Sequence, residues 1–134
     1  MRQKIKEFNT IKGRLGEEIA CEYLVKRGFL IIDRNYRKRW GEIDIIATKD
    51  RKIHFLEVKS VSLSDCEQVE GEEKHRPEEN VHPYKVHKIR KTILSYLEEK
   101  CQNREEDFAF HVICVYLNFV SRKAKIRIIE NIIL

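Results

Sequence analysis

Hydrophobic positions recur every three or four residues, then every second residue, then every three or four again, and these changes of period divide the chain into elements. Residues 10–27 carry Leu15, Ile19 and Tyr23 at a spacing of four. That spacing predicts an amphipathic helix capped by Asn9 or Thr10 and stopped at Gly28. Three short apolar runs follow at residues 29–35, 42–47 and 52–59, separated by Trp40-Gly41 and by Thr48-Lys49-Asp50-Arg51. They read as strands joined by tight turns into an antiparallel meander. A second helix is expected from Pro83, whose fixed φ suits a first helical turn, to about Cys101. It places Val86, Ile89, Ile93 and Leu97 on one face and Lys85, Lys88, Arg90 and Lys91 on the other. Residues 108–117 and 125–129 read as two further strands around Ser121-Arg122-Lys123. The order α-β-β-β-α-β-β predicts an α/β sandwich without internal repeats.

Residues 60–82 break the pattern, lacking periodicity and including Gly71 and Pro77, so a mobile loop is expected there. The chain of 134 residues, 42% hydrophobic, fits one domain spanning residues 1–134. Its 27 Lys and Arg against 22 Asp and Glu give a formal net charge of +5. The charge is uneven: residues 61–82 hold seven acids against Lys74 and Arg76, a net of −5, which leaves +10 on the remainder. A body this basic favours a polyanionic partner such as nucleic acid. The run Arg34, Arg37, Lys38, Arg39 with Tyr36 and Trp40 has the composition to grip a phosphate backbone and stack a base, or to form a solvated turn.

Four cysteines, Cys21, Cys66, Cys101 and Cys114, form no C-x-x-C pair and are expected to be reduced and structural. Nowhere do about 18 apolar residues follow one another, and the start has no apolar signal core, so a cytoplasmic protein without a membrane span is expected. A zinc site from Cys66, His75, His82 and His87 matches no common ligand spacing. His54 and His111 fall in apolar strand patterns and read as core or edge residues.

The sharpest chemical signal is Phe55-Leu56-Glu57-Val58-Lys59. Strand alternation puts Glu57 and Lys59 on one face and Leu56 and Val58 on the other. Upstream, Gly41-Glu42-Ile43-Asp44-Ile45-Ile46-Ala47 sets Asp44 among apolar residues, a costly place for a carboxylate without a cation. If the two strands pair, Asp44 approaches Glu57. Two carboxylates about 4 Å apart repel by roughly 4 kcal/mol at an effective dielectric near 20, which one lysine only partly offsets. Mg²⁺ or Mn²⁺ held by the two carboxylates and a backbone carbonyl, that of Val58, resolves the conflict and leaves room for phosphate oxygens and water. Glu17, flanked by Gly13 and Gly16 on the first helix, is either a third carboxylate of this site or an acid favouring the positive end of its helix.

Gly13-x-x-Gly16-Glu17, Gly41-Glu42-Ile43-Asp44 and Glu57-Val58-Lys59, in this order and with Asn35 and Lys85 between and after them, resemble the YraN-like family of small bacterial proteins. That family belongs to the PD-(D/E)xK nuclease superfamily and is similar to archaeal Holliday-junction resolvases. The resemblance runs from about residue 12 to residue 117. It implies a restriction-endonuclease-like core, a mixed sheet flanked by helices, with Asp44 and Glu57 as metal ligands, Lys59 as the catalytic lysine, Glu17 as an accessory carboxylate and Lys85 near the site. The implied activity is metal-dependent hydrolysis of phosphodiester bonds in DNA, branched or single-stranded, in repair or recombination. Lys85, Lys88, Arg37 and Arg39 are the expected nucleic-acid contacts. Ser60-Val61 departs from the family pattern, in which a hydroxyl residue and an arginine follow the lysine. Two other readings remain open: a non-catalytic nucleic-acid-binding module retaining the fold, and an interaction domain, a homodimer included, built on the apolar ending Ile128-Ile129-Glu130-Asn131-Ile132-Ile133-Leu134.

Overall fold

Helix α1 (Arg2–Lys26) precedes strands β1 (Leu30–Lys38), β2 (Gly41–Lys49) and β3 (Lys52–Leu63); helix α2 (Pro83–Lys100) then leads to β4 (Phe108–Asn118) and β5 (Lys123–Ile129). The computed structural model describes residues 2–63, 83–100 and 107–134. The five strands form one mixed sheet in chain order. Tight turns make β1, β2 and β3 antiparallel neighbours: Asp50 and Arg51, at φ 53° and 62°, have the paired positive φ that matches a two-residue hairpin to strand twist. β4 runs parallel to β3, from Ile53↔Phe108 to Leu63↔Asn118, and such a pair requires a crossover, here the connection containing α2. β5 returns antiparallel to β4.

Each sheet face is covered by one helix. On one side Ala20 and Leu24 of α1 pack with Ile45, Leu56, Ile113 and Val115. On the other, Ile89, Ile93 and Tyr96 of α2 pack with Ile46, Phe55, Phe110 and Val112. β4 is therefore apolar on both faces and buried from Ala109 to Leu117, as a strand between two helical layers should be. This is the α/β fold expected from the sequence, a five-stranded mixed sheet flanked by two helices, consistent with a restriction-endonuclease-like core.

Three details depart from the sequence reading. α1 starts at Arg2, so Asn9 and Thr10 lie inside it, and the Thr10 hydroxyl donates back to the Lys6 carbonyl (2.9 Å) instead of capping. The buried stripe of α1 is Gly16, Ala20, Cys21 and Leu24, whereas Leu15 is 39% exposed. The small residues bring the helix backbone close to the sheet, and the larger Ile19 and Tyr23 flank that contact. Residues 60–63, expected in a loop, continue β3 because β4 supplies a partner along their whole length and Val61 and Leu63 pack on the α2-side core. The rest of the expected loop, residues 64–82, lies outside the described residues, as do Cys66 and Cys101 and the zinc candidates His75 and His82.

Gly28 ends α1 as expected: at φ 92° it donates to the Val25 carbonyl while Phe29 N–H reaches back to Leu24. Cys21 and Cys114 are buried. The apolar ending folds onto its own sheet through Ile129, Ile132 and Leu134, leaving Ile133 93% exposed. Among the described residues no helix is long and apolar enough to cross a membrane.

Candidate functional site

β2 and β3 part company at Asp44. Their pairing runs from Lys49↔Lys52 to Ile45↔Leu56 and stops there. The next inward-facing group, the Val58 N–H, would in a continuing ladder meet the main chain of Ile43. It donates instead to Asp44 Oδ2 at 2.8 Å. The N–H and C=O of one strand residue point the same way, so the Val58 carbonyl also faces the opening. On the other side of β2, Asn35 is the residue opposite Asp44, and no pairing joins them although the register holds on both sides, Arg34↔Ile45 and Tyr36↔Ile43. Asn35 is left-handed, φ 52°, a conformation asparagine tolerates better than most residues. Around this irregularity Ile43 faces the α2 side and Ile45 the α1 side, so Asp44 sits where the alternation of β2 is reset.

Glu57 and Lys59 share the α2-side face of β3 with Phe55, as the alternation requires. Lys85, in the first turn of α2, reaches down to the same carboxylate. Its Nζ is 2.5 Å from Glu57 Oε1, and Lys59 Nζ is 3.5 Å from that same oxygen. The other oxygen, Oε2, is buried without a hydrogen-bond partner. From the opposite face comes Glu17, whose Oε1 is likewise buried and unpartnered. Gly16 makes this approach possible, since a Cβ there would run into Ser60 of β3. Gly13, expected to help, has open space around it, and its lack of a side chain serves no contact.

The electrostatics follow from this crowding. Burial pushes the Asp44 pKa up to about 6, the charges of Glu17, Glu57 and Glu42 push the same way, and the Val58 N–H opposes them. Burial raises Glu17 too, against the Arg34 charge and a hydrogen bond from Asn35. Of the two lysines on Glu57, Lys59 is pushed down by burial and by the neighbouring Lys85 ammonium. Lys85 is also disfavoured by burial, but its bonds to Glu57 and Lys59 and the pull of Glu57 and Asp44 carry its pKa upward.

Beside Glu57 opens a cleft of about 380 Å³, whose walls include Arg37, Arg39, Trp40, Lys85 and Lys88. All four expected nucleic-acid contacts line it, together with Glu57 of the three central residues. The β1–β2 turn forming one wall is held by α2. Lys91 Nζ lies 4.5 Å from the Trp40 ring centroid, Lys38 pairs with Glu99 at 2.5 Å, and Gly41 lies so near the Thr92 hydroxyl that an added Cβ would clash with it.

The structure therefore brings together Asp44, Glu57, Val58, Lys59, Glu17 and Lys85, and sets Arg37, Arg39 and Lys88 around the adjacent cleft. Three residues take parts in the site that the sequence reading did not give them. Asn35 enters only by standing opposite Asp44, and Ser60 only by touching Gly16. Arg34, noted as part of a basic run, instead pairs with Glu18 at 2.8 Å and brings positive charge to the Glu17 side. Asn35 and Ser60 were marked by the family pattern, the one as a match and the other as a departure, but their contacts follow from packing that no local pattern reveals. His54 and His111 stand apart, joined to each other at 2.8 Å, with the Asn131 N–H donating to His111 Nδ1.

The residues present fit a hard divalent cation. Two buried carboxylate oxygens lack partners, and buried polar atoms are rarely left so. The donors are oxygens only, which suit Mg²⁺ or Mn²⁺ better than softer metals. Among the described residues no three His, Cys, Asp or Glu side chains form a group able to hold an ion by themselves. The set suits an ion that takes few protein ligands and keeps water on the rest, as Mg²⁺ does.

The family model described as uncharacterised protein family UPF0102 matches residues 16–115, a stretch that starts beside Glu17 and ends in β4. A UPF0102 protein of Campylobacter lari is 41% identical over 122 residues, 90% of this chain and 91% of its own length. One from Helicobacter pylori (strain HPAG1) is 37% identical over 121 residues, 90% of both chains. One from Chlorobium limicola is 45% identical over 103 residues, 77% of this chain and 73% of its own. Matched along most of its length by the family model and by relatives from several bacterial genera, the chain belongs to the UPF0102, or YraN-like, family.

Proposed function

We propose that this protein is a metal-dependent endonuclease that hydrolyses phosphodiester bonds of DNA, branched or single-stranded. The observation that carries the reading is the convergence of Asp44 and Glu57 with Lys59 where β2 and β3 separate, with a buried Glu57 oxygen left unpartnered beside a basic cleft. Asp44, Glu57 and the Val58 carbonyl hold Mg²⁺ or Mn²⁺, and Glu17 contributes from the α1 side. The bound cation supplies Lewis-acid charge and makes water a better nucleophile near neutral pH. Lys59, beside Glu57 at 3.5 Å, orients the attacking water or balances negative charge that builds on the phosphate oxygens. Arg37, Arg39 and Lys88 seat the backbone on either side of the scissile phosphate, contacts that position without reading sequence.

The test is cleavage of labelled single-stranded, duplex, flap and four-way-junction DNA, and of RNA, with Mg²⁺ or Mn²⁺. Wild type is compared with Asp44→Ala and Lys59→Ala. Metal-dependent cutting that falls on the order of 10²-fold or more in both variants is expected, from the usual worth of a positioned acid-base or electrostatic group. Variants that cut as fast as wild type would sink the assignment. Tight, metal-independent binding without any cutting would favour a binding module that keeps the fold.

A further inference from the structure

We infer that Lys85 is a built-in competitor for the divalent cation: its ammonium occupies Glu57 in the metal-free protein and gives up that carboxylate when the metal binds. The inference deepens the metal-dependent reading above and rests on it. Both lysine ammoniums lie against Glu57 Oε1, Lys85 at 2.5 Å and Lys59 at 3.5 Å, while Oε2 is buried and bare. A carboxylate so lopsidedly engaged is already neutralised on one side, and the two lysines oppose most of the charge of Asp44, Glu57 and Glu17. A divalent ion at Oε2 would stand a carboxylate's width from two ammoniums, at the range where like charges repel strongly in a half-buried setting.

The two lysines differ in what they can do about it. Lys59 projects from the middle of a strand paired along its length with β4. Lys85 projects from the first turn of α2, and its side chain also lines the open cleft. A four-carbon stem lets the Lys85 ammonium swing from Glu57 into that cleft without moving the backbone. There it joins Arg37, Arg39 and Lys88, so the metal-loaded protein offers a phosphate one more cation than the metal-free protein does. Lys85 would thus keep the empty site neutral and couple metal loading to phosphate binding.

Titration calorimetry with Mn²⁺ or Mg²⁺ alone, without nucleic acid, reads this directly. Lys85→Met should bind the metal at least about tenfold more tightly than wild type, which corresponds to about 1.4 kcal/mol. Lys85→Arg, which keeps the charge, should stay near the wild-type affinity. Because Lys85→Met could loosen α2, a second readout uses wild type: the NMR signal of the Lys85 ammonium, sheltered while it holds Glu57, should shift or exchange away on adding Mg²⁺, with the Lys59 signal less affected. Unchanged or weaker metal binding by Lys85→Met, or a Lys85 signal indifferent to saturating metal, would overturn the inference while the metal site itself stood. No metal binding by any of the proteins would overturn both readings together.

Discussion

The backbone N–H of Val58 donates to the carboxylate of Asp44 at 2.8 Å, taking a side chain where an unbroken sheet would have used the main chain of Ile43. The bond fixes Asp44 at the fork of β2 and β3, yet it does not offset the burial that drives its pKa up to about 6.

Asp44 therefore weakens the metal-free protein at neutral pH. Its folded pKa lies above the ordinary 3.8, so the folded state holds the proton more tightly and stability falls as pH rises from about 4 to 6. Asn keeps an oxygen for the Val58 N–H and carries no charge. Asp44→Asn should raise the metal-free unfolding free energy at pH 7 by about 1–3 kcal/mol, an advantage that fades by pH 4. It should also abolish stabilisation by added Mg²⁺. Urea melts at the two pH values, with and without Mg²⁺, check both halves.

His111 gives the opposite dependence. Buried against His54, it has a pKa pushed down to about 4 by burial first and by the His54 charge next, with Lys52 acting likewise and Glu130 against. Its contribution is complete above about 6.5 and is lost as pH falls towards 4, a change on the order of 3 kcal/mol. Protonating Nδ1 would also remove the acceptor for the Asn131 N–H that anchors the chain end. His111→Asn can still accept from Asn131 but does not titrate, so its stability relative to wild type should rise as pH falls from about 6.5 to 4, on top of the Asp44 effect that both proteins share. Parallel acid-dependent melts of the two proteins decide it; coincident curves would refute the assignment.

Cleft charges should appear in the salt dependence of binding. Arg37→Gln, Arg39→Gln and Lys88→Gln, each tested with single-stranded oligonucleotide in a non-cleaving Asp44→Ala background, are expected to lower the slope of log K against log salt by about 0.7 apiece if each meets one phosphate. Arg37 already pairs with Glu42 at 3.2 Å, so giving up that pair should offset part of its effect. Slopes identical to the parent would move the nucleic-acid surface elsewhere.

Gly16→Ala tests how α1 delivers Glu17. The added Cβ would meet Ser60, and relieving the clash by shifting the helix should cost about 1–3 kcal/mol. Ser60→Gly in the same chain should restore much of that loss. Gly13→Ala meets nothing and, inside a helix, should stabilise by roughly 0.5–1 kcal/mol. A double-mutant cycle by chemical denaturation separates the pair.

What the sequence carried best was local. The alternation through Phe55, Glu57 and Lys59, and the helical spacing of Ile89 and Ile93, depend on neighbours a few residues away, and the structure keeps both. The parting of the strands at Asp44 depends on which main-chain groups of β3 go unmet, and no period reveals that. The same holds for Lys85 on Glu57, since a basic helix face reads alike whether its lysines meet water or a carboxylate. α1 ran longer than its pattern because the apolar residues of its first half, Ile5, Phe8 and Ile11, remain exposed and leave little trace of a buried stripe. β3 ran longer because its partner lies far along the chain, where inspection of residues 60–63 alone finds nothing to pair with.

The parallel ladder between β3 and β4 joins residues 55 positions apart, beginning with Ile53 and Phe108, whereas Asp44 and Val58 meet across a single hairpin. Local contacts close quickly and distant ones slowly, because the entropy of the intervening chain must be overcome first. Asp44 and Glu57 should then be gathered before β4 and the helix bearing Lys85 have docked. For that interval the apolar edge of β3 has no neighbour, and it is there, not in the finished site, that a newly made chain is most exposed to pairing with another copy of itself.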